Sequence, residues 1–265
     1  MLKFSPCIEM IFKNVDFYER FAAAKNAGVD AVEFWGFAGR EKSKLKEAKD
    51  SAGITISSVC IDTTIPEIAE KYNLQKLLYR ESVNEFLEAL KESIVFANEL
   101  GIKKLIATTG QARNDITHYE QHANVVYALK QAAPIIEDSG LMIILEPLNI
   151  IKDHKGYFLS STYEAMAIID EVGSENIKLL FDIYHQQLTD GNIIPNILKY
   201  SALIGHYHVA DNPGRNQPGT GELNYRNIFA AIEKTGYNGF VGLEYTPTID
   251  SAESIKNTME LLSHN

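Results

Sequence analysis

The chain has 265 residues, 45% of them hydrophobic and 10% aromatic, which is ample for a large core, and it carries a formal net charge of −10. That charge disfavours a nucleic-acid partner, because grip on a phosphate backbone relies on clustered Lys and Arg, and the basic run from Arg40 to Lys49 is interleaved with Glu41 and Glu47 like a solvated helix face. No apolar run approaches the ~18 residues of a membrane span, the N-terminal residues lack a signal-peptide core, and Cys7 and Cys60 share no metal-binding spacing, so a soluble, cytoplasmic protein with free thiols is expected.

In chain order, short β-branched runs alternate with longer amphipathic ones. Lys3 to Met10 reads as a strand, Asp16 to Gly28 as a helix and Val29 to Gly36 as a second strand. A charged helix from Arg40 to Ala52, a strand from Ile54 to Asp62 and a long helix from about Val83 to Leu100 follow, the last stopped by Gly101. Next come strand Lys104 to Thr109, helix Tyr119 to Asp138, strand Met142 to Asn149 and helix Thr162 to Val172, where Ser160-Ser161-Thr162 offers an N-cap. Strand Ile177 to Tyr184, a short helix at Pro195 to Tyr200, strand Ile204 to Val209, helix Tyr225 to Thr235, strand Gly239 to Tyr245 and helix Ala252 to Leu262 complete the chain. Such alternation implies parallel strands with helical crossovers. Eight units near the typical ~250 residues predict an α/β protein, a closed (β/α)₈ TIM barrel, as one domain over residues 1–265. A doubly wound sheet would carry a glycine-rich turn after its first strand, and Ile11-Phe12-Lys13 is nothing like one.

Four consecutive strands deliver a group able to bind a cation or move a proton: Glu146, Asp182, His208 and Glu244. A buried carboxylate is costly unless it is paired or coordinates a metal, and the carboxyl ends of barrel strands share one mouth. The four are therefore expected to converge on one divalent ion. Three carboxylates and an imidazole form a hard ligand set suited to Mn²⁺, Mg²⁺ or Co²⁺, with Zn²⁺ also compatible. Each acid taken alone could instead cap a helix or pair with Arg215. Alternation leaves the directions of His206 and His208 ambiguous, and nearness to the strand end favours His208 as the ligand. His118, His122, His154 and His264 fall in helical or loop contexts.

Around this set, Trp35 ends the second strand and is expected to wall a substrate pocket, or simply to pack. Glu33 reads as a barrel-interior glutamate satisfied by hydrogen bonds, with catalysis as the alternative. The polar loop from Asp211 to Glu222 follows the seventh strand, where barrels often hold anionic groups, and its Arg215 is placed to clamp a carboxylate or polarised oxygen. His185 is expected at the rim, orienting substrate hydroxyls.

The segments Leu145-Glu146-Pro147-Leu148-Asn149, Asp182-Ile183-Tyr184-His185, Gly205-His206-Tyr207-His208-Val209-Ala210-Asp211-Asn212-Pro213-Gly214-Arg215, Gly219-Thr220-Gly221-Glu222 and Gly242-Leu243-Glu244-Tyr245 together resemble the hydroxypyruvate isomerase family. That family lies among the xylose isomerase-like barrels, beside the ketose 3-epimerases. The resemblance covers nearly the whole chain. It implies an isomerase of a small sugar or sugar acid, with a divalent ion on Glu146, Asp182, His208 and Glu244. The two glutamates would also move protons through an enediolate, and His185 and Arg215 would hold substrate. Two positions depart from the pattern: His208 stands where some hydroxypyruvate isomerases have Gln, as in the epimerase branch, and Thr246 stands where some have Lys. A tagatose/psicose-type 3-epimerase is the nearest alternative. A metal-dependent phosphodiesterase and a non-catalytic sugar-binding barrel are the others, and assembly into a homo-oligomer stays open.

Overall fold

The computed structural model describes residues 1–262, so His264 lies outside the described residues. Its strands are β1 (Lys3–Pro6), β2 (Ala31–Phe34), β3 (Thr55–Cys60), β4 (Lys104–Ala107), β5 (Met142–Leu145), β6 (Ile177–Asp182), β7 (Ile204–Val209) and β8 (Phe240–Leu243). All pair in parallel in the order β1-β8-β7-β6-β5-β4-β3-β2. The remaining gap, between β1 and β2, is bridged by Cys7 against Glu33, and the Ile8 N–H donates to the Glu33 carbonyl at 2.9 Å. The expected TIM barrel is therefore the fold.

The helices are α1 (Glu19–Asn26), α2 (Lys42–Ala52), α3 (Pro66–Gln75), α4 (Val83–Leu100), α5 (His118–Ser139), α6 (Thr162–Val172), α7 (Ile183–Thr189), α8 (Ile193–Tyr200), α9 (Tyr225–Lys234) and α10 (Ser251–Glu260). Two of them, α3 and α7, differ from the sequence expectation. The start of α3 is marked by Pro66 and Glu67 in its first turn, with no side-chain cap at Ile65. The α7 helix replaces the expected end of the sixth strand, because the Asp182 carboxylate accepts the His185 N–H at 3.0 Å and caps a helix beginning at Ile183. The first strand also stops early, at Pro6, where Met10 and Ile11 donate to the Cys7 carbonyl and turn the chain. As expected, Gly101 ends α4 in a left-handed conformation, and of the three residues offering a cap to α6 it is the Ser161 side chain that does so. Among the described residues no helix is long and apolar enough to cross a membrane.

Period-2 alternation sorts the strands into an outer and an inner face. Leu145, Phe181, Tyr207 and Leu243 belong to the large core between sheet and helices. Their neighbours Ile144, Leu180 and His206 are also buried, and Ile106, Ile144 and Leu180 form a separate cluster with Cys60 and Met142. Two residues further along lie Glu146, Asp182 and His208. The inner face thus changes from apolar to ionisable in one step up β5 and β6.

Candidate active site

Each acid of the constellation is fixed by its strand. The Glu146 N–H donates to the Ala107 carbonyl and the Glu244 N–H to that of Val209, extending the ladder one residue beyond β5 and β8. Asp182 is paired with His208 across β6 and β7. All four side chains are buried, and one ligand atom from each lies within 4.8 Å of all the others. The centre of the group is His208 Nδ1, which is 3.5 Å from Glu146 Oε1, 3.6 Å from Glu244 Oε2 and 4.0 Å from Asp182 Oδ2. Neither Glu146 Oε1 nor His208 Nδ1 has a hydrogen-bond partner. Buried polar atoms that point at one another and stay unpaired are costly, unless something shared satisfies them. A divalent ion would do so with the atoms present.

The two glutamates sit in different surroundings. Both oxygens of Glu244 are engaged, Oε1 by the Trp35 indole N–H at 2.8 Å and Oε2 by Arg215 at 2.5 Å. Burial opposes its ionisation, but Arg215 and His208 outweigh burial and hold it well below the usual carboxylate range. Burial dominates at Glu146 and raises it to about 7, against the pull of His208. Burial alone would lower His208, but Glu33 and Glu244 raise it well above the ordinary histidine value.

Arg215 reaches this site from the loop after β7, as expected, with a left-handed backbone at φ 55°. The loop does not offer its amides to an anion. The Asp211 carboxylate takes the N–H groups of Asn212, Gly219 and Leu223, and a Cβ at Gly221 would lie 2.2 Å from the Asn212 carbonyl oxygen. It is a self-packed turn that presents one guanidinium.

His185 is not at the rim. It is fully buried in the first turn of α7, where Asp182 caps the helix. Its Nδ1 faces the Asn149 side-chain amide at 2.7 Å and accepts the Asn149 backbone N–H at 3.2 Å. The neutral ring therefore carries its proton on Nε2, and burial lowers its pKa to about 4. Nε2 has no hydrogen-bond partner and lies 3.7 Å from Asp182 Oδ2. A donor aimed at the acidic cluster is suited to a substrate hydroxyl.

A family model for the xylose isomerase-like TIM barrel matches residues 21–264. The chain belongs to that family. Similar relatives include the hydroxypyruvate isomerase of Escherichia coli K12, 33% identical with 93% of this chain and 94% of that one covered. The 2-oxo-tetronate isomerase of Cupriavidus necator is 30% identical over 93% of this chain and 94% of that one. Among solved structures, a protein described as AP endonuclease, family 2, from Brucella melitensis superposes with a TM-score of 0.90 at 25% identity, covering 98% and 99% of the two chains. The curated full-length relatives are isomerases, and this xylose isomerase-like barrel belongs with them.

Sequence reasoning missed the groups behind the site. Asn149, read as the end of a strand, is a hub: its side chain also donates to Asp153, whose other partner is the Tyr184 hydroxyl, both at 2.8 Å. A small amide after Glu146-Pro147-Leu148 was the available signal. His206 and His208, separated by one residue, both point into the barrel, and their ring centroids are 5.2 Å apart. Among the described residues, His118, His122 and His154 are not in the acidic cluster. His118 and His122 face Glu164 from α5, and His154 packs against His185.

Proposed function

We propose that this xylose isomerase-like barrel is a cytoplasmic, metal-dependent isomerase of a small sugar or sugar acid, acting through an enediolate with Glu146 and Glu244 as the proton-moving groups. Glu146, Asp182, His208 and Glu244 would hold one ion, with Mn²⁺, Mg²⁺ or Co²⁺ best matched to the oxygen-rich set and Zn²⁺ compatible. The observation that carries this reading is the convergence of four buried ligand atoms within 4.8 Å, two of them with no other partner. Bound there, the ion would polarise adjacent carbonyl and hydroxyl oxygens and lower the barrier to removing the carbon-bound proton.

The chain's own groups supply the rest. His185 Nε2–H donates to a substrate hydroxyl, and the Arg215 guanidinium holds a carboxylate or polarised oxygen beside Glu244. Glu146 and Glu244 lie 3.5 and 3.6 Å from the same His208 ring nitrogen, and one would remove the proton while the other returns it. Trp35, 46% exposed and donating to Glu244, would form one wall of the substrate space. The sugar-acid names of the full-length relatives support an aldose–ketose isomerisation of a short hydroxy-keto acid, with C3 epimerisation of a free ketose as the runner-up. Whether the chain acts as one domain alone or as a homo-oligomer does not alter this chemistry.

Turnover of hydroxypyruvate, 2-oxo-tetronates and free ketoses should vanish after chelation and return with Mn²⁺ or Mg²⁺. Full activity in the stripped protein would remove the metal from the reading. Phosphodiester cleavage is the alternative raised by the Brucella protein's description, and a net charge of −10 with one imidazole in the ligand set disfavours it. Metal analysis separates the two: about one ion per chain fits the isomerase, and three would favour hydrolysis.

A further inference from the structure

We propose that Glu33 is a positioning residue for the metal centre, fixing the tautomer and ring orientation of His208 so that Nδ1 is the atom offered to the ion. The proposal rests on the metal-dependent reading above and concerns a residue outside the ligand set.

His208 has two ring nitrogens with opposite surroundings. Nδ1 faces the carboxylates of Glu146, Asp182 and Glu244, while Nε2 faces Glu33 Oε1 at 3.1 Å. A ligating Nδ1 must present its lone pair, which puts the ring proton on Nε2, toward Glu33. Glu33 is itself held still. Its Oε2 accepts from the hydroxyls of Ser5 at 3.2 Å, Ser57 at 3.1 Å and Ser58 at 3.0 Å, and faces His206 Nε2 at 3.1 Å. Glu33 Oε1 and His208 Nε2 each have no hydrogen-bond partner, so this 3.1 Å ion-pair contact is what each atom faces. The proton on His206 is fixed from behind, because its Nδ1 faces Lys104 Nζ at 3.3 Å and the Tyr237 hydroxyl at 3.4 Å. With donors on Nδ1, the remaining ring proton lies on Nε2 and points to Glu33.

The neighbouring strand leaves room for this contact, since Gly242 of β8 is paired in register with His208. A Cβ at Gly242 would sit 2.1 Å from Glu33 Oε1 and 2.5 Å from His208 Cδ2, so β8 accommodates only glycine beside the pair. Glu33, His206 and His208 are also close enough to form a second three-ligand cation site. The hydrogen bonds speak against that use, since Oε2 is already saturated by three serines and the His206 contact. The arrangement is that of a carboxylate behind a ligating histidine, which raises ligand basicity and holds ring orientation.

The test is Mn²⁺ binding, followed by electron paramagnetic resonance of free Mn²⁺ titrated into metal-free protein. Glu33→Gln should weaken the dissociation constant by about 10- to 100-fold while the metal-free variant keeps the wild-type circular dichroism and melting temperature. Wild-type affinity in a folded Glu33→Gln would overturn the proposal. A wild-type chain that binds no Mn²⁺ would sink the functional reading as well, whereas tight binding by both proteins sinks this proposal alone. Should the variant fail to fold, the Mg²⁺-loaded wild type answers instead through nitrogen-15 histidine spectra. A protonated Nε2 on His208 supports the proposal, and a protonated Nδ1 overturns it.

Discussion

The Trp35 indole on the far side of the barrel seam donates its N–H to Glu244 Oε1 at 2.8 Å, although 209 residues separate the two in the chain. A residue expected to line the pocket thus also holds one oxygen of a proposed proton-moving carboxylate. Trp35→Phe keeps an aromatic wall and deletes only the donor. A hydrogen bond to a charged group contributes about 1.5–3 kcal/mol, so kcat is expected to fall roughly 10- to 100-fold. The bound metal should stay. If steady-state kinetics show only a raised KM, Trp35 serves as wall alone.

Glu146→Gln and Glu244→Gln should each abolish interconversion while sparing the fold, because the amide conserves shape and cannot accept the proton. The two need not fail alike. Glu244 is gripped at both oxygens and Glu146 Oε1 is not, so solvent-deuterium exchange into substrate should survive in one variant and assign the roles. Either variant retaining more than about a tenth of wild-type turnover with metal bound, a loss under ~1.4 kcal/mol, would reduce that residue to a ligand.

Asn149 sets which nitrogen of His185 carries a proton. In Asn149→Asp the new carboxylate calls for a donor at Nδ1, which strips the proton from Nε2 and turns a donor toward substrate into an acceptor. Substrate KM is expected to rise by about tenfold or more, matching His185→Gln. Unchanged KM in both variants would take His185 out of substrate binding.

Lys104 lies at the foot of β4, and burial lowers its pKa to about 8. The unfolded chain holds this proton up to its ordinary value, about 10.4, so across that window the unfolded state binds more protons and stability rises with pH. Below pH 8 both states are protonated and the cost of the buried charge is fully present. Relative to Lys104→Met, wild-type stability from urea unfolding should therefore gain on the order of 1–3 kcal/mol between pH 8 and 10.5. A flat difference would show that Lys104 remains charged at no cost.

The barrel was readable because each strand and helix pair repeats the same change of period, and Glu146, Asp182, His208 and Glu244 were readable because each closes an apolar run. What stayed hidden depended on direction or on capping. Ile183 and Tyr184 are buried in α7 as they would be in a longer strand, so hydrophobicity could not separate the two, and the cap lay in the Asp182 side chain. His185 was misplaced for the same reason. The partners of Glu33 lie on β1, β3 and β7, and spacing along one strand carries no trace of them.

The seam between β1 and β2 is closed through the main chain of Glu33, whose carbonyl receives the Ile8 amide. One residue therefore latches the barrel wall with its backbone and faces His208 with its side chain. Any breathing that parts the two strands moves the floor of the acidic cluster with it. The Ile8 amide should consequently exchange its hydrogen for solvent deuterium more slowly when the ion is bound, reporting occupancy from outside the ligand set.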